Sequence, residues 1–130
     1  MNILFITPTL PYPPDSGGRI VVYNTIKHLS TRHRINLISF IHKGQGKYVP
    51  FLKEHCVEIE TVYNGNRFSK YTLLRNLFSS LPYSISRYHS NAMKMKISEV
   101  VKQNRFDMVF IGIGTLPRNN PCFNVRINVN

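Results

Sequence analysis

The chain has no tryptophan and only two cysteines among its 130 residues. Cys56 and Cys122 lie far apart and lack the neighbouring His or Cys partners of a tetrahedral zinc site, so we expect reduced structural thiols. The apolar run at residues 3–6 is too short for the hydrophobic segment of a signal peptide or for a membrane span. These features predict a folded cytoplasmic protein without a structural metal.

Acidic side chains are scarce, since the chain has only six Asp and Glu residues. Glu58 and Glu60 lie on one face of a predicted edge strand. Asp107 lies at the N-terminal end of the last predicted strand, opposite to the end where ligands bind in α/β sheets. We therefore assign no catalytic acid or base. The five histidines show no metal-binding spacing, and among them only His42, just beyond the second predicted strand, is placed to face a cleft.

Positive charge is abundant by contrast, because 17 Lys and Arg residues against six carboxylates leave a net charge of +11. Such a charge attracts phosphates, anionic lipids or nucleic acid. The basic residues are scattered and show no regular alternation with aromatic residues, which binding to single strands would require. We therefore expect no specific nucleic-acid partner, and we rank an anionic membrane surface or a phosphorylated ligand above it.

Short apolar runs alternate with segments of helical periodicity along the chain. The runs predict strands at residues 2–7, 35–41, 57–62 and 106–113, of which the third alternates with charged residues and belongs near an edge. The periodic segments predict helices at 19–31, 49–55, 73–81 and 93–101. This order predicts an α/β fold, an open parallel Rossmann-like sheet of about four strands with flanking helices. We expect one domain over residues 1–113 and an irregular tail over 114–130.

The segment after the first strand is the best candidate site. Residues 8–18 contain four prolines and two glycines, and the end of this segment holds Ser16, Gly17, Gly18 and Arg19. Glycines let backbone N–H groups approach an anion at the start of a helix, while Ser16 adds a hydroxyl donor and Arg19 a positive charge. Alternatively, the glycines only turn the chain into the helix, with Asp15 or Ser16 as N-cap. The residue pattern supports both interpretations equally.

Other glycine signals are weaker. The fingerprint G-x-G-x-x-G does not follow the first strand, and no acidic residue closes the second, which disfavours a nicotinamide oxidoreductase. Gly112 and Gly114 form a lone pair of the kind that more often marks a turn than a phosphate-binding loop.

The N-terminal segment MNILFITPTLPYPPDSGGRIVVYNTIKHLSTRHRINLISFI resembles the opening of family 4 glycosyltransferases, a retaining group with the two-domain GT-B architecture. The matching features are the Pro-rich loop, the stretch at residues 13–19, the pair Tyr23-Asn24, and His33-Arg34 before the second strand. The similarity continues through residues 81–84 and 105–107, so it covers residues 1–113. Phe110 departs from the pattern, since it stands near where many relatives have a histidine.

The resemblance implies that Gly17 and Gly18 face an interdomain cleft, near the donor diphosphate and the acceptor, with Ser16 and Arg19 matching the local pattern. It implies an N-terminal, incomplete half of a GT-B enzyme that transfers a hexosyl group from a sugar nucleotide to a glycan or lipid-linked acceptor in cell-surface polysaccharide synthesis. The donor-binding second domain has no counterpart in this sequence, so we expect no activity alone, and we favour a truncated chain over one that acts with a separately encoded second half. The implied partners are a separately encoded C-terminal half and the inner membrane face, with no metal or further cofactor.

Two alternatives come from other functional classes. In the first, the chain is a non-catalytic basic module that binds anionic membrane or nucleic acid. Its affinity for these partners should then fall steeply with salt and should not depend on sugar nucleotides. In the second, it is a small nucleotide-binding protein of flavodoxin-like architecture, which requires a complete sheet within 130 residues.

Overall fold

The computed structural model describes residues 1–64 and 91–112, which form four strands and their flanking helices. In chain order the elements are β1 Asn2–Thr7, α1 Gly17–Leu29, β2 Arg34–Ile41, a 3₁₀ turn Gln45–Tyr48, α2 Val49–Leu52, β3 Glu58–Tyr63, α3 Asn91–Gln103 and β4 Met108–Ile111. The helix predicted at 73–81 and the tail at 114–130 lie outside the described residues.

The four strands form one sheet in the order β3-β2-β1-β4, and every pairing is parallel. Strand β1 is central, pairing with β2 from Asn2 opposite Arg34 and with β4 from Ile3 opposite Met108. Strand β3 lies at the edge of the described sheet. The structure therefore confirms the α/β class, the open parallel Rossmann-like sheet and the position of the third strand.

Helices cover both faces of the sheet. Helices α1 and α2 pack on the face whose buried strand residues are Ile3, Phe5, Ile35, Leu37 and Phe110. Helix α3 packs on the opposite face, whose buried strand residues are Leu4, Ile38, Phe40, Val62 and Val109. The chain thus leaves β1 over one face to reach β2 and arrives at β4 over the other. The strand order reverses between β1 and β4, which makes their carboxyl ends the topological switch point.

Some element boundaries differ from those predicted. Helix α1 begins at Gly17, because Ser16 has an extended N-cap backbone and its carbonyl accepts the Ile20 N–H at 2.9 Å. The two glycines predicted to precede the helix are therefore its first turn. The helix predicted at 49–55 begins at Val49, directly after the 3₁₀ turn, and ends earlier than predicted, at Leu52. Strand β4 is shorter than predicted.

The amino end of the sheet is held by side-chain hydrogen bonds. The Asn2 backbone N–H donates to the Asp107 carboxylate at 2.7 Å, and the Asn2 side-chain amide donates to the Arg105 carbonyl at 2.8 Å. The Asn36 side-chain amide donates to Asn2 Oδ1 at 2.9 Å. Asp107 therefore ties β4 to β1, far from the carboxyl ends where a ligand would bind.

Candidate functional site

The candidate site lies at the switch point, where β1 and β4 end side by side. Strand β1 ends at Thr7 and leads through residues 8–16 into α1. Gly112 follows β4, and its N–H donates to the Ile6 carbonyl at 2.9 Å, which extends the β1–β4 pairing by one residue. Ligands of open α/β sheets bind in the crevice outside this point. The fold therefore places the glycine-containing segment where such a ligand would lie.

The loop between β1 and α1 is held against the core. Leu10 is fully buried within the α1-side cluster, and Pro11 is buried beside it. The Tyr12–Pro13 peptide bond is cis, and the Asp15 N–H donates to the Pro13 carbonyl at 2.9 Å. The burial of Leu10 and Pro11 and the hydrogen bond between Asp15 and Pro13 hold the loop that leads into α1.

The N-terminus of α1 is available to a ligand. The first N–H groups of any helix lack intrahelical acceptors, and here the N-cap Ser16 makes no side-chain capping bond. Gly17 has no described atom within 4 Å of the position that a Cβ would take. Among the described glycines only Gly44 has a positive φ. Ser16 takes the N-cap position that the turn interpretation predicted, but neither Gly17 nor Gly18 has a positive φ, and no steric reason for glycine at 17 exists in the described chain.

Arg19 is placed beside this N-terminus but is already paired. Its Nη1 lies 2.8 Å and 3.1 Å from the two carboxylate oxygens of Asp15. The Asp15 side chain is 57% exposed, and an i,i+4 pair of this kind contributes only about 0.3–0.5 kcal/mol. An incoming phosphate can therefore displace Asp15 at small cost. The sequence predicted a positive charge at Arg19 but not its ion pair with Asp15.

A row of small polar residues crosses the carboxyl end of the sheet on the α1 face. Thr7 pairs with Ser39 and Ser39 with Thr61, so the three hydroxyl residues stand side by side. Gly112 continues the row next to β1 because Ile111 pairs with Ile6. The preceding row is apolar and comprises Phe110, Phe5, Leu37 and Ile59. The sheet therefore changes character at the edge that faces the candidate site.

Two of these hydroxyl residues are buried at the carboxyl end of the sheet. Ser39 Oγ donates to the Phe40 carbonyl at 3.0 Å. Thr7 is 2% exposed, and its Oγ1 has no hydrogen-bond partner among the described residues. The row was not predicted because it depends on the register between strands. A hydroxyl residue at or near the end of three successive apolar runs was the only available signal.

Gly112 permits close approach of α1 to the sheet. A Cβ at this position would lie 3.2 Å from Val22 Cγ2 and 3.3 Å from Thr7 Cγ2, closer than ordinary van der Waals contact. The sequence pattern indicated a turn at Gly112. The structure gives it a packing role, which sets how closely α1 lies over the ends of β1 and β4.

The remaining carboxylates on β3 have structural partners. Glu60 lies 3.2 Å from Lys96 Nζ, and Lys96 also lies 3.3 Å from Glu99, so β3 and α3 are joined by a small ion-pair cluster. Hydrogen bonds and charge from Glu60 and Glu99 raise the pKa of Lys96. Glu58 accepts a long hydrogen bond of 3.5 Å from the Asn104 side chain. These contacts hold α3 to the edge strand.

The other sequence candidates are not gathered into a reactive centre. Phe110 lies in the core with its ring centroid 4.7 Å from that of Phe5. Burial raises the pKa of the Cys56 thiol to about 12, so it stays protonated at neutral pH. The backbone N–H of His42 donates to Gln45 at 2.9 Å in the turn after β2. Within residues 1–64 and 91–112, no three His, Cys, Asp or Glu side chains are grouped to hold a metal.

No helix in these two ranges combines the length and the apolar character needed to cross a bilayer. Searches against protein-family models, curated proteins and solved structures found no match to this chain.

Proposed function

We propose that this chain is the acceptor-side N-terminal part of a sugar-nucleotide-dependent glycosyltransferase of GT-B architecture, similar to family 4. In this proposal the complete enzyme transfers a hexosyl group to a glycan or lipid-linked acceptor during cell-surface polysaccharide synthesis. The chain by itself binds a diphosphate-containing ligand weakly and transfers no sugar.

One observation carries the proposal: α1 begins with two glycines, without a side-chain cap, at the switch point of a parallel sheet. Exposed N–H groups and the positive end of the helix dipole favour a phosphate there. The absence of a Cβ at Gly17 lets the ligand approach the backbone. The resemblance of residues 13–19 to the family 4 loop adds the expectation that this phosphate belongs to a sugar nucleotide.

The described residues account for binding and orientation but not for bond cleavage. The N–H groups of the first turn can contact a diphosphate, and Arg19 can add a charge after it leaves Asp15. A GT-B enzyme positions donor and acceptor between two domains, and that positioning supplies most of the rate acceleration. A single half therefore retains at most part of the donor contacts, which is why we expect a dissociation constant of about 1 mM.

The test is an NMR titration of the ¹⁵N-labelled chain with UDP-hexoses, GDP-hexoses and inorganic pyrophosphate at constant ionic strength. We expect the amide resonances of residues 16–19 to shift in a saturable manner, whereas those of α3 stay in place. Sulfate at the same ionic strength serves as the control for general anion binding. No saturable shift at residues 16–19 with any nucleotide up to about 10 mM, well beyond the expected dissociation constant, would contradict the proposal.

A second test concerns the missing half of the enzyme. The DNA that follows the codon for Asn130 is read in all three forward frames for several hundred bases. We expect a second Rossmann-like domain there or in a neighbouring gene. Co-expression of that domain with this chain should yield release of a nucleoside diphosphate from a sugar nucleotide. Unrelated sequence both downstream and in the neighbouring genes would favour a stand-alone binding protein.

A further inference from the structure

Aromatic rings gather on the surface formed by the β1–α1 loop and the segment after β2. The rings of Tyr12 and Phe51 are stacked, with centroids 4.8 Å apart and planes 14° apart. Tyr48 lies 6.0 Å and Tyr23 5.7 Å from Tyr12 between ring centroids. Phe51 is nevertheless 53% exposed. A large apolar ring is thus held in place by its neighbours and presented to solvent.

Three exposed lysines lie close in sequence to Tyr48 and Phe51. Lys43, Lys47 and Lys53 lie within an eleven-residue segment, residues 43–53, that contains no carboxylate. Lys47 Nζ lies 5.0 Å from the centroid of the Tyr48 ring. None of the three is ion-paired to a described residue, and Glu54 is the first acidic residue after them. We name the three lysines together with Tyr12, Tyr48 and Phe51 the aromatic–lysine surface.

The apolar part of this surface extends along α1. Tyr23 contacts Tyr12, and Ile20 lies one helical turn before Tyr23 on the same side of the helix. Ile20 is 43% exposed. Ile20 therefore adds an exposed apolar side chain on the side of α1 that carries Tyr23.

This combination matches the interface of an anionic bilayer. Aromatic side chains favour the headgroup region, and lysines beside them gain from the negative surface potential of acidic lipids. Nucleic acid fits less well because bases need separate ring faces for stacking, and here Tyr12 and Phe51 cover one another. The overall charge of +11 would add long-range attraction.

We propose that the aromatic–lysine surface docks the protein on membranes that contain anionic lipid, with Phe51 entering the headgroup region and Lys47 and Lys53 contacting lipid phosphates and carboxylates. This docking goes beyond glycosyl transfer and does not require it, since neither a sugar nucleotide nor an acceptor takes part. It would bring the candidate site, which adjoins the same loop, to the membrane surface.

The experiment is cosedimentation of the 130-residue chain with two kinds of vesicle, at low and at high salt. One kind contains phosphatidylcholine alone, and the other also contains about 30 mol% of the anionic lipid phosphatidylserine. We expect binding only to the anionic vesicles, with affinity that falls as salt rises. The Lys47→Gln/Lys53→Gln variant should bind about 30-fold more weakly, since each lysine near the surface contributes roughly a fivefold factor.

The control variant is Lys94→Gln/Lys102→Gln, which removes two exposed lysines from α3 on the opposite face of the sheet. It makes the same change in net charge and should bind within about threefold of the unaltered chain, because its lysines lie away from the proposed surface. A second pair separates apolar contact from charge. Phe51→Ser should weaken binding by roughly fivefold, whereas Met95→Ser, at a 73% exposed position on α3, should not.

Equal weakening by both lysine pairs would overturn the proposal, since it would show nonspecific attraction by net charge. Failure to bind anionic vesicles, or competition by a single-stranded oligonucleotide that binds more tightly than the vesicles, would overturn it as well. The lysine variants alter exposed side chains and should fold normally, which circular dichroism verifies. The NMR titration with sugar nucleotides is independent of all these outcomes, so the two proposals can fail separately.

Discussion

Replacing Gly17 by alanine tests whether this glycine is needed for folding or for binding a ligand. The added methyl would meet no described atom within 4 Å, and Gly17 has no positive φ. Alanine is favoured over glycine in helices by about 0.5–1 kcal/mol, and the first turn gains the lower part of that range. We therefore expect the free energy of unfolding to rise by about 0.5 kcal/mol, measured by urea denaturation.

The same methyl should interfere with an anion that approaches the backbone. A phosphate in contact with the first N–H groups of α1 passes close to the Cα of Gly17, so the added group removes or lengthens those contacts. Loss of one charge-assisted hydrogen bond corresponds to about tenfold weaker binding. The assay is the NMR titration with sugar nucleotides and pyrophosphate, performed on Gly17→Ala beside the unaltered chain.

Gly46→Ala is the matched control, because Gly46 also has no described atom within 4 Å of its Cβ position and no positive φ. It should leave ligand binding unchanged. If Gly17→Ala binds every ligand as well as the unaltered chain does, the idea that glycine serves close approach at this helix is refuted. If it destabilises the protein by more than about 1 kcal/mol, the open space beside Gly17 is refuted instead.

Four further predictions concern three residues. Asp15→Asn should free Arg19 and strengthen pyrophosphate binding about two- to fivefold in the NMR titration, while the free energy of unfolding falls by less than about 0.5 kcal/mol. Gly112→Ala should lower the free energy of unfolding by about 1–2 kcal/mol in urea, because its methyl would lie 3.2 Å from a side-chain methyl of α1; no loss of stability would contradict the close packing. Cys56 should resist thiol reagents at pH 8 until urea unfolds the chain, tested with Cys122 replaced by serine, and rapid native labelling would contradict its burial. Its pKa is raised from 9.0 to about 12, so its contribution to stability should persist below pH 9 and be lost as the pH rises toward 12.

The elements of this fold could be predicted because their signals are local. Strands β1 and β2 are short apolar runs bounded by polar or proline-containing segments, and each was predicted within one residue of its observed limits. Alternation of apolar and acidic residues placed β3 at an edge. The predicted helix ends were less accurate, since the start of α1 depends on the extended backbone of Ser16 rather than on a side-chain cap.

The candidate site was only partly predictable. The segment at residues 15–19 was identified from its residue types and from the rule that ligands bind at the carboxyl ends of parallel strands. Its pairing of Arg19 with Asp15 depends on helical spacing that begins two residues earlier than predicted. The stacking of Tyr12 on Phe51 joins parts of the chain 39 positions apart, which no local pattern indicates.

The sequence by itself determined the class of fold, the number of described strands and the position of the glycine-containing segment after β1, because apolar periodicity and turn residues act over a few neighbouring positions. The tertiary structure alone decided that β4 lies beside β1 and that Thr7, Ser39 and Thr61 share one row. It also decided that Gly112 lies where a Cβ would be too close to α1. These features depend on strand order and register, which are set by how separate faces bury their apolar side chains together.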